Sequence, residues 1–220
     1  ITSRKGGCGK TVLATILAAT LTEEGADVAL LDTDPNLAAH RWALETRDPP
    51  IRSYAEADAE RLAELLPTLA ERHELLIIDT AGFGNQAATV AAAGADMVLV
   101  PVTPGEGDLV EAQRTVAYVE GLGRSTRRLI PVRVLANRIR RATTLSRHLL
   151  SELEKLGLPS LQTVMSEAVG YGEISFSGVL PRDGSPAAEI AALIGELRDA
   201  GGLPAFRKAG KLEIREGVKA

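Results

Sequence analysis

The sequence predicts an α/β fold: a three-layer, doubly wound, mostly parallel sheet with helices on both faces. Three observations carry this. Short strand-like runs alternate with amphipathic stretches along the 220 residues, an order that builds parallel sheets through right-handed crossovers. The strand runs are continuously apolar, as strands read when helices cover both faces of a sheet. A Gly-rich turn joins the first strand to the first helix, at the sheet edge where such folds bind ligands.

Taken in order, the first strand is only 1-ITS-3, and helix 11–24 follows the turn. The second strand, 27-DVALLD-32, is stopped by Pro35 and leads to helices 37–47 and 56–72. Strand 75-LLIID-79 precedes helix 85–93, and strand 97-MVLVPV-102 precedes helix 106–122. Strand 130-IPVRVLA-136 leads to helix 143–156, and strand 160-SLQTVM-165 to helix 186–200. Residues 1–200 thus form one domain. From 201-GGLP-204 onward the chain is polar, Gly-containing and poorly periodic, which reads as a loosely held tail over 201–220. No internal repeat is visible.

Hydrophobic residues make up 45% of the chain, enough for a full core. The apolar runs are too short to cross a membrane, and no signal peptide is expected. The chain opens without an initiator Met, so a few further residues upstream are expected. Cys8 is the single cysteine. It permits no internal disulfide and no paired-cysteine metal or iron–sulfur site, which fits a cytoplasmic setting. The net charge of -4 gives no hint of nucleic acid, but net charge hides distribution.

The stretch 4-RKGGCGKTVL-13 reads as a phosphate cradle. Gly6, Gly7 and Gly9 let several backbone N–H groups turn inward, with Cys8 at the variable position. The helix that begins near Lys10 aims its positive end at the same point. Lys10 is placed to reach the β- and γ-phosphates, and the Thr11 hydroxyl to bind Mg²⁺. The common template G-x-x-x-x-G-K-[ST] fails at its first position, which falls on Arg4. The loop is K-G-G-x-G-K-T instead, with an extra lysine at position 5. Cys8 reads as a small residue that fits, with sensitivity to thiol reagents left open.

Two carboxylates end the second strand in 30-LLDTDPN-36. At i and i+2 they leave the sheet edge on one side. Asp34 lies furthest out and is assigned the attacking water. Asp32 is assigned to the Mg²⁺ shell or to support of the loop, and one of the two can cap the next helix. The third strand ends in 75-LLIIDTAG-82, an apolar strand closed by an aspartate, so Asp79 is a Mg²⁺ ligand through water. Gly82 and Gly84 permit a mobile loop after it. Asn137, in 136-ANR-138, offers the donor and acceptor that an adenine edge requires. No NKxD guanine signature is present, so ATP is favoured over GTP.

K-G-G-x-G-K-T, D-x-D-P, I-I-D-x-A-G, V-P-V-T-P and a late N-R together resemble the ATPases with a deviant phosphate loop, the ParA/MinD group of P-loop NTPases, over roughly residues 1–200. The likeness is closest to the small ParA-type partition ATPases. It implies that Lys5 reaches across a nucleotide-sandwich homodimer to the partner's phosphates, a positive charge supplied in trans. It further implies that Asp34 positions water, that Asp79 is the Walker B aspartate, and that Asn137 contacts adenine. Pro101 and Pro104 fall where the family builds part of its dimer face. The implied activity is slow ATP hydrolysis with ATP and Mg²⁺ as cofactors. The implied partners are a second copy, non-specific DNA and a ParB-like or small centromere-binding protein.

Between residues 121 and 150 there is no Asp or Glu, while Arg124, Arg127, Arg128, Arg133, Arg138, Arg140, Arg141 and Arg147 all fall there. Such clustering is a footprint for phosphate backbones, and the lack of aromatics argues against base stacking. Arg138, Arg140, Arg141 and Arg147 are the preferred DNA contacts, being nearest the nucleotide edge, and Lys208 and Lys211 can add to them. Three alternatives are a MinD-like membrane-positioning ATPase, a nucleoid-based cargo-positioning ATPase and a metal-cluster relative. The first needs an amphipathic C-terminal helix, and 205-AFRKAGKLEIREGVKA-220 is a poor one; the last is excluded by the single cysteine. His40, His73 and His148 read as surface residues. Trp42 and Tyr54 read as packing on the second helix, and Tyr171 and Phe176 as core.

Overall fold

The computed structural model describes residues 1–82, 84–140 and 142–203. The sequence-predicted 204–220 tail, with Lys208 and Lys211, and Arg141 lie outside the described residues. Among the described residues six strands are all parallel and fall in two sets, β2-β1-β3 and β4-β5-β6. The strands are β1 (Val28–Asp32), β2 (Arg52–Ala55), β3 (Leu75–Asp79), β4 (Val98–Val102), β5 (Val132–Ile139) and β6 (Ser160–Ser166). Residues 1–3 join the two sets. Ile1 N donates to Ile78 O at 2.7 Å, and Thr2 N donates to Leu99 O at 3.0 Å. The opening segment therefore runs up the middle of the sheet and delivers the glycine-rich turn to its C-terminal edge.

Side chains alternate between the two faces of each strand, as the two-residue period requires. Leu30, Leu99 and Leu135 point into a core shared with α1 (Lys10–Glu23), α7 (Val169–Ser177) and α8 (Gly184–Asp199). Trp42 and Ala43 join the same core from the turn Trp42–Thr46, which continues α2 (Ala38–Arg41) with π-helical bonding. Val98, Val100, Val134 and Ala136 face α5 (Glu106–Thr126) and α6 (Thr144–Lys155). Leu31 packs on α3 (Ala59–Arg72) and α4 (Gln86–Gly94). This is the doubly wound three-layer arrangement. Central strands β1 and β4 are buried at every position, which explains their unbroken apolar sequence.

Several expectations are corrected. Residues 52–55 form a strand, β2, at the sheet edge, so Tyr54 lies on it and packs with the α3–α4 cluster rather than on the second helix. An edge strand with exposed ends has no apolar run to reveal it. Helix α7 lies between strand 160–165 and helix 186–200, a stretch for which the sequence suggests no element. Phe176 on α7 is 89% exposed rather than core, whereas Tyr171 is buried. His73 is buried rather than superficial: Nδ1 lies 3.2 Å from Asp27 Oδ1, and Nε2 lies 3.0 Å from the Tyr54 hydroxyl. Trp42 is buried on α2's continuation, and its Nε1 donates to Ile174 O at 2.8 Å.

Candidate functional site

The glycine-rich turn sits at the C-terminal edge of the sheet, between residue 3 and the first turn of α1. Gly7 and Gly9 hold φ of 82° and 94°, a region that L-residues with a Cβ rarely enter. Gly9 is fixed by space as well: a Cβ there would lie 2.4 Å from Asn137 Nδ2. Lys10 is buried, and its Nζ donates to Lys5 O at 3.1 Å across the loop. Cys8 is buried, with Sγ 3.5 Å from Lys5 O.

Thr11 and Asp79 meet beneath the loop. Thr11 Oγ1 donates to Asp79 Oδ2 at 2.7 Å. Among the described residues, Asp79 Oδ1 is the one buried side-chain atom without a hydrogen-bond partner. Burial is the main cause that pushes the Asp79 carboxyl up to about 6, and the Thr11 hydrogen bond opposes it. A buried carboxylate with an unmet oxygen beside a threonine hydroxyl is a donor set that fits a hard divalent cation.

Asp32 is the register partner of Asp79 on the neighbouring strand and is fully buried. Both of its oxygens accept backbone N–H groups, Oδ1 from Asp34 at 2.9 Å and Oδ2 from His40 at 3.1 Å. Asp32 thus ties the end of β1 to the first turn of α2 and holds Asp34 in place. Asp34 is half-buried at the rim, and its Oδ1 accepts from Asn36 N at 2.9 Å. Asn137 is a clamp on the loop: Nδ2 donates to Cys8 O at 2.8 Å, and Oδ1 accepts from Arg138 N at 3.0 Å. Each group keeps capacity for one further bond. Asn137 opens onto a cavity of about 230 Å³ lined by Gly9, Val12, Leu13, Ile16, Met165 and Tyr171 among others.

Lys5 points away from its own loop. Its ammonium pairs with Asp108, which also accepts from the Thr103 hydroxyl. Asp108 was not singled out in the sequence; its only signal is an acid in the first turn of a helix, which dipole stabilisation accounts for equally well. Arg4 pairs with Glu111 at 3.0 Å.

The arginine cluster divides in two. Arg124, Arg127 and Arg128 stand exposed at the end of α5, before β5 begins. At the other end, Arg138 stands exposed as the last residue but one of β5, and Arg140 and Arg147 stand exposed just beyond it. The run of β5 up to Arg138 separates the groups by roughly 20 Å. Only the second group shares the edge that carries the phosphate loop. Arg140 is paired with Glu167. Arg138 sits at φ 56°, a left-handed conformation braced by Asn137 Oδ1.

A glycine cradle at the edge of a doubly wound parallel sheet, with a threonine–aspartate pair under it, defines a P-loop nucleotide-binding protein. The chain matches the CobQ/CobB/MinD/ParA nucleotide binding domain over residues 1–181 and belongs to that family, as a ParA/MinD-type ATPase. It is 33% identical over 187 residues to "Protein virC1" of Rhizobium radiobacter, covering 81% of this chain and 80% of that one. It is 26% identical over 186 residues to "Maintenance of carboxysome distribution protein A" of Halothiobacillus neapolitanus, covering 81% and 83%. In structure it is similar to a putative plasmid partition protein of Borrelia burgdorferi bound to AMPPNP, with a TM-score of 0.69 at 16% identity, covering 90% of this chain and 97% of that one.

Proposed function

We propose that the protein is a DNA-partition ATPase, in which ATP joins two copies into a sandwich dimer that holds non-specific DNA on the nucleoid until hydrolysis releases it. The observation that carries this reading is the position of Lys5. It is a cation at the mouth of the phosphate loop, 53% exposed, that its own loop does not use. A charge so placed reaches the phosphates of a second copy more readily than its own.

Thr11 and Asp79 would hold Mg²⁺, with Asp32 fixing the turn behind them. The ion supplies charge neutralisation beside the phosphates when bound. The backbone N–H groups of residues 6–11 and Lys10 bind the phosphate chain. Asp34 at the rim orients the water, and Asn137 faces the base. Arg138, Arg140 and Arg147 give DNA a basic strip on the nucleotide edge; Arg141 adjoins them in sequence. A ParB-like or small centromere-binding protein completes the reading as the stimulus for hydrolysis.

A second reading, positioning of a protein cargo on the nucleoid, draws on the name of the carboxysome-distribution relative. It shares the DNA switch and differs only in partner. Among the described residues no helix is long and apolar enough to cross a membrane.

The test is binding to random-sequence duplex DNA with ATP, with ADP and without nucleotide, at two salt concentrations. Salt-sensitive binding only with ATP supports the switch. Absence of binding in every state removes DNA from the reading.

A further inference from the structure

Behind the cavity beside Asn137 lies a buried carboxylate that the phosphate chemistry does not touch. Glu189, on α8, is 7% exposed. Its Oε2 accepts from Ser166 N at 2.8 Å, Ser166 Oγ at 2.9 Å and the Tyr171 hydroxyl at 2.7 Å. Ser166 ends β6 and Tyr171 lies near the start of α7, and both line the cavity. One oxygen thus draws together the two elements that form its far wall.

A carboxylate is costly to bury unless hydrogen bonds meet it, and here three donors do. The other inward positions of α8 are Ile190, Leu193, Ile194 and Leu197. An apolar residue at position 189 would suit the packing and leave the junction free to move. Burial and the nearby Glu189 push the Tyr171 hydroxyl well above its ordinary value, so it remains a donor, closest to Glu189 Oε2 at 2.7 Å with Pro186 O further off at 3.4 Å. The cavity, at about 230 Å³, is smaller than the ~300–1,000 Å³ of sites that take whole drug-sized ligands. It suits a flat base alone, with sugar and phosphates outside.

We propose that Glu189 is a positioning residue for the nucleotide base: through Ser166 and Tyr171 it fixes the β6–α7 junction as the wall of the base cavity. The proposal rests on the reading that this cavity takes the base of a bound nucleotide. Pre-organising that wall removes an ordering cost from base binding and none from phosphate binding.

The experiment is calorimetric titration of the full chain with ATP and with inorganic tripolyphosphate, which engages the phosphate loop alone. The variants are Tyr171→Phe, Glu189→Leu and the conservative Glu189→Gln, which keeps an acceptor oxygen. Tyr171→Phe and Glu189→Leu are expected to weaken ATP by about tenfold, the scale of one charge-assisted hydrogen bond, with tripolyphosphate unchanged and Glu189→Gln recovering most of the loss. If both ligands weaken together, or neither changes, Glu189 acts only on stability and the proposal falls. If the wild-type chain binds ATP no more tightly than tripolyphosphate, the cavity takes no base, and the underlying reading fails first. Should Glu189→Leu not fold, Tyr171→Phe decides the matter, because it deletes one hydroxyl and keeps the ring.

Discussion

Lys5 and Asp108 form an ion pair across the mouth of the phosphate loop, between residues 103 positions apart in the chain. Asp108 is held in the first turn of α5, where the helix dipole favours it. A lysine that serves a partner's phosphates must first leave this aspartate, so the pair opposes dimerisation. Asp108→Asn should therefore let the ATP-bound protein dimerise at lower concentration. A pair with one half-exposed member is worth at most about 1 kcal/mol, or about fivefold. Light scattering after gel filtration measures the threshold, and an unchanged threshold removes Asp108 as a restraint. Lys5→Ala should keep ATP binding and lose hydrolysis, whereas Lys10→Ala should lose binding itself.

Asp34 is held at the rim by Asp32, which accepts its backbone N–H. Asp34→Ala removes the group assigned to the water and leaves the cradle intact. Hydrolysis should fall by about a hundredfold or more, the usual worth of a positioned base. ATP should still bind and dimers should persist. A wild-type rate in a phosphate-release assay sinks the assignment.

Much of this site was legible because its signals are local. The cradle needs glycines at fixed spacing, and Asp79 closes an apolar strand. What escaped the sequence is what the fold assembles from afar. Asp108 meets Lys5 only because β4 ends beside the loop, and Glu189 reaches Ser166 and Tyr171 from a different helix. The eight arginines gave the opposite error. They are close in sequence, but β5 sets Arg124, Arg127 and Arg128 at one edge of the sheet and Arg138, Arg140 and Arg147 at the other. Phe176 misled because hydrophobicity alone does not tell a core residue from an exposed one, and His73 because a buried histidine depends on partners that come from elsewhere in the fold, Asp27 just before β1 and Tyr54 on β2.

Burial holds the Asp79 carboxyl up to about 6, from an ordinary 3.8. The folded protein therefore keeps a proton that the unfolded chain releases between about pH 4 and 6. The contribution of this group to stability is greatest at low pH and falls as pH rises through about 6. Asp79→Asn lacks that loss. Relative to wild type, the nucleotide-free variant should gain stability as pH rises from about 4, levelling above about 6, by on the order of 2–3 kcal/mol. Urea unfolding at several pH values measures the difference, and a difference that does not change with pH contradicts the raised carboxyl. The same variant should lose the stabilisation that Mg²⁺ with ATP gives the wild type at neutral pH.

The division of the arginines makes DNA binding a test of place. Each phosphate neutralised on duplex DNA contributes about 0.9 to the slope of log affinity against log salt. Arg138→Ala with Arg147→Ala removes two exposed cations from the edge that carries the nucleotide. The ATP-state slope should drop by about two, with ATP affinity unaltered. Arg124→Ala with Arg127→Ala removes two from the opposite edge and should leave the slope as it was. Glu167 neutralises Arg140, so Glu167→Gln should tighten DNA binding and steepen the slope. The reverse result, with the α5 pair mattering and the β5 edge silent, would place DNA on the face away from the nucleotide. ATP would then have to act on DNA through the dimer's geometry, because the charges beside its own phosphates would play no part.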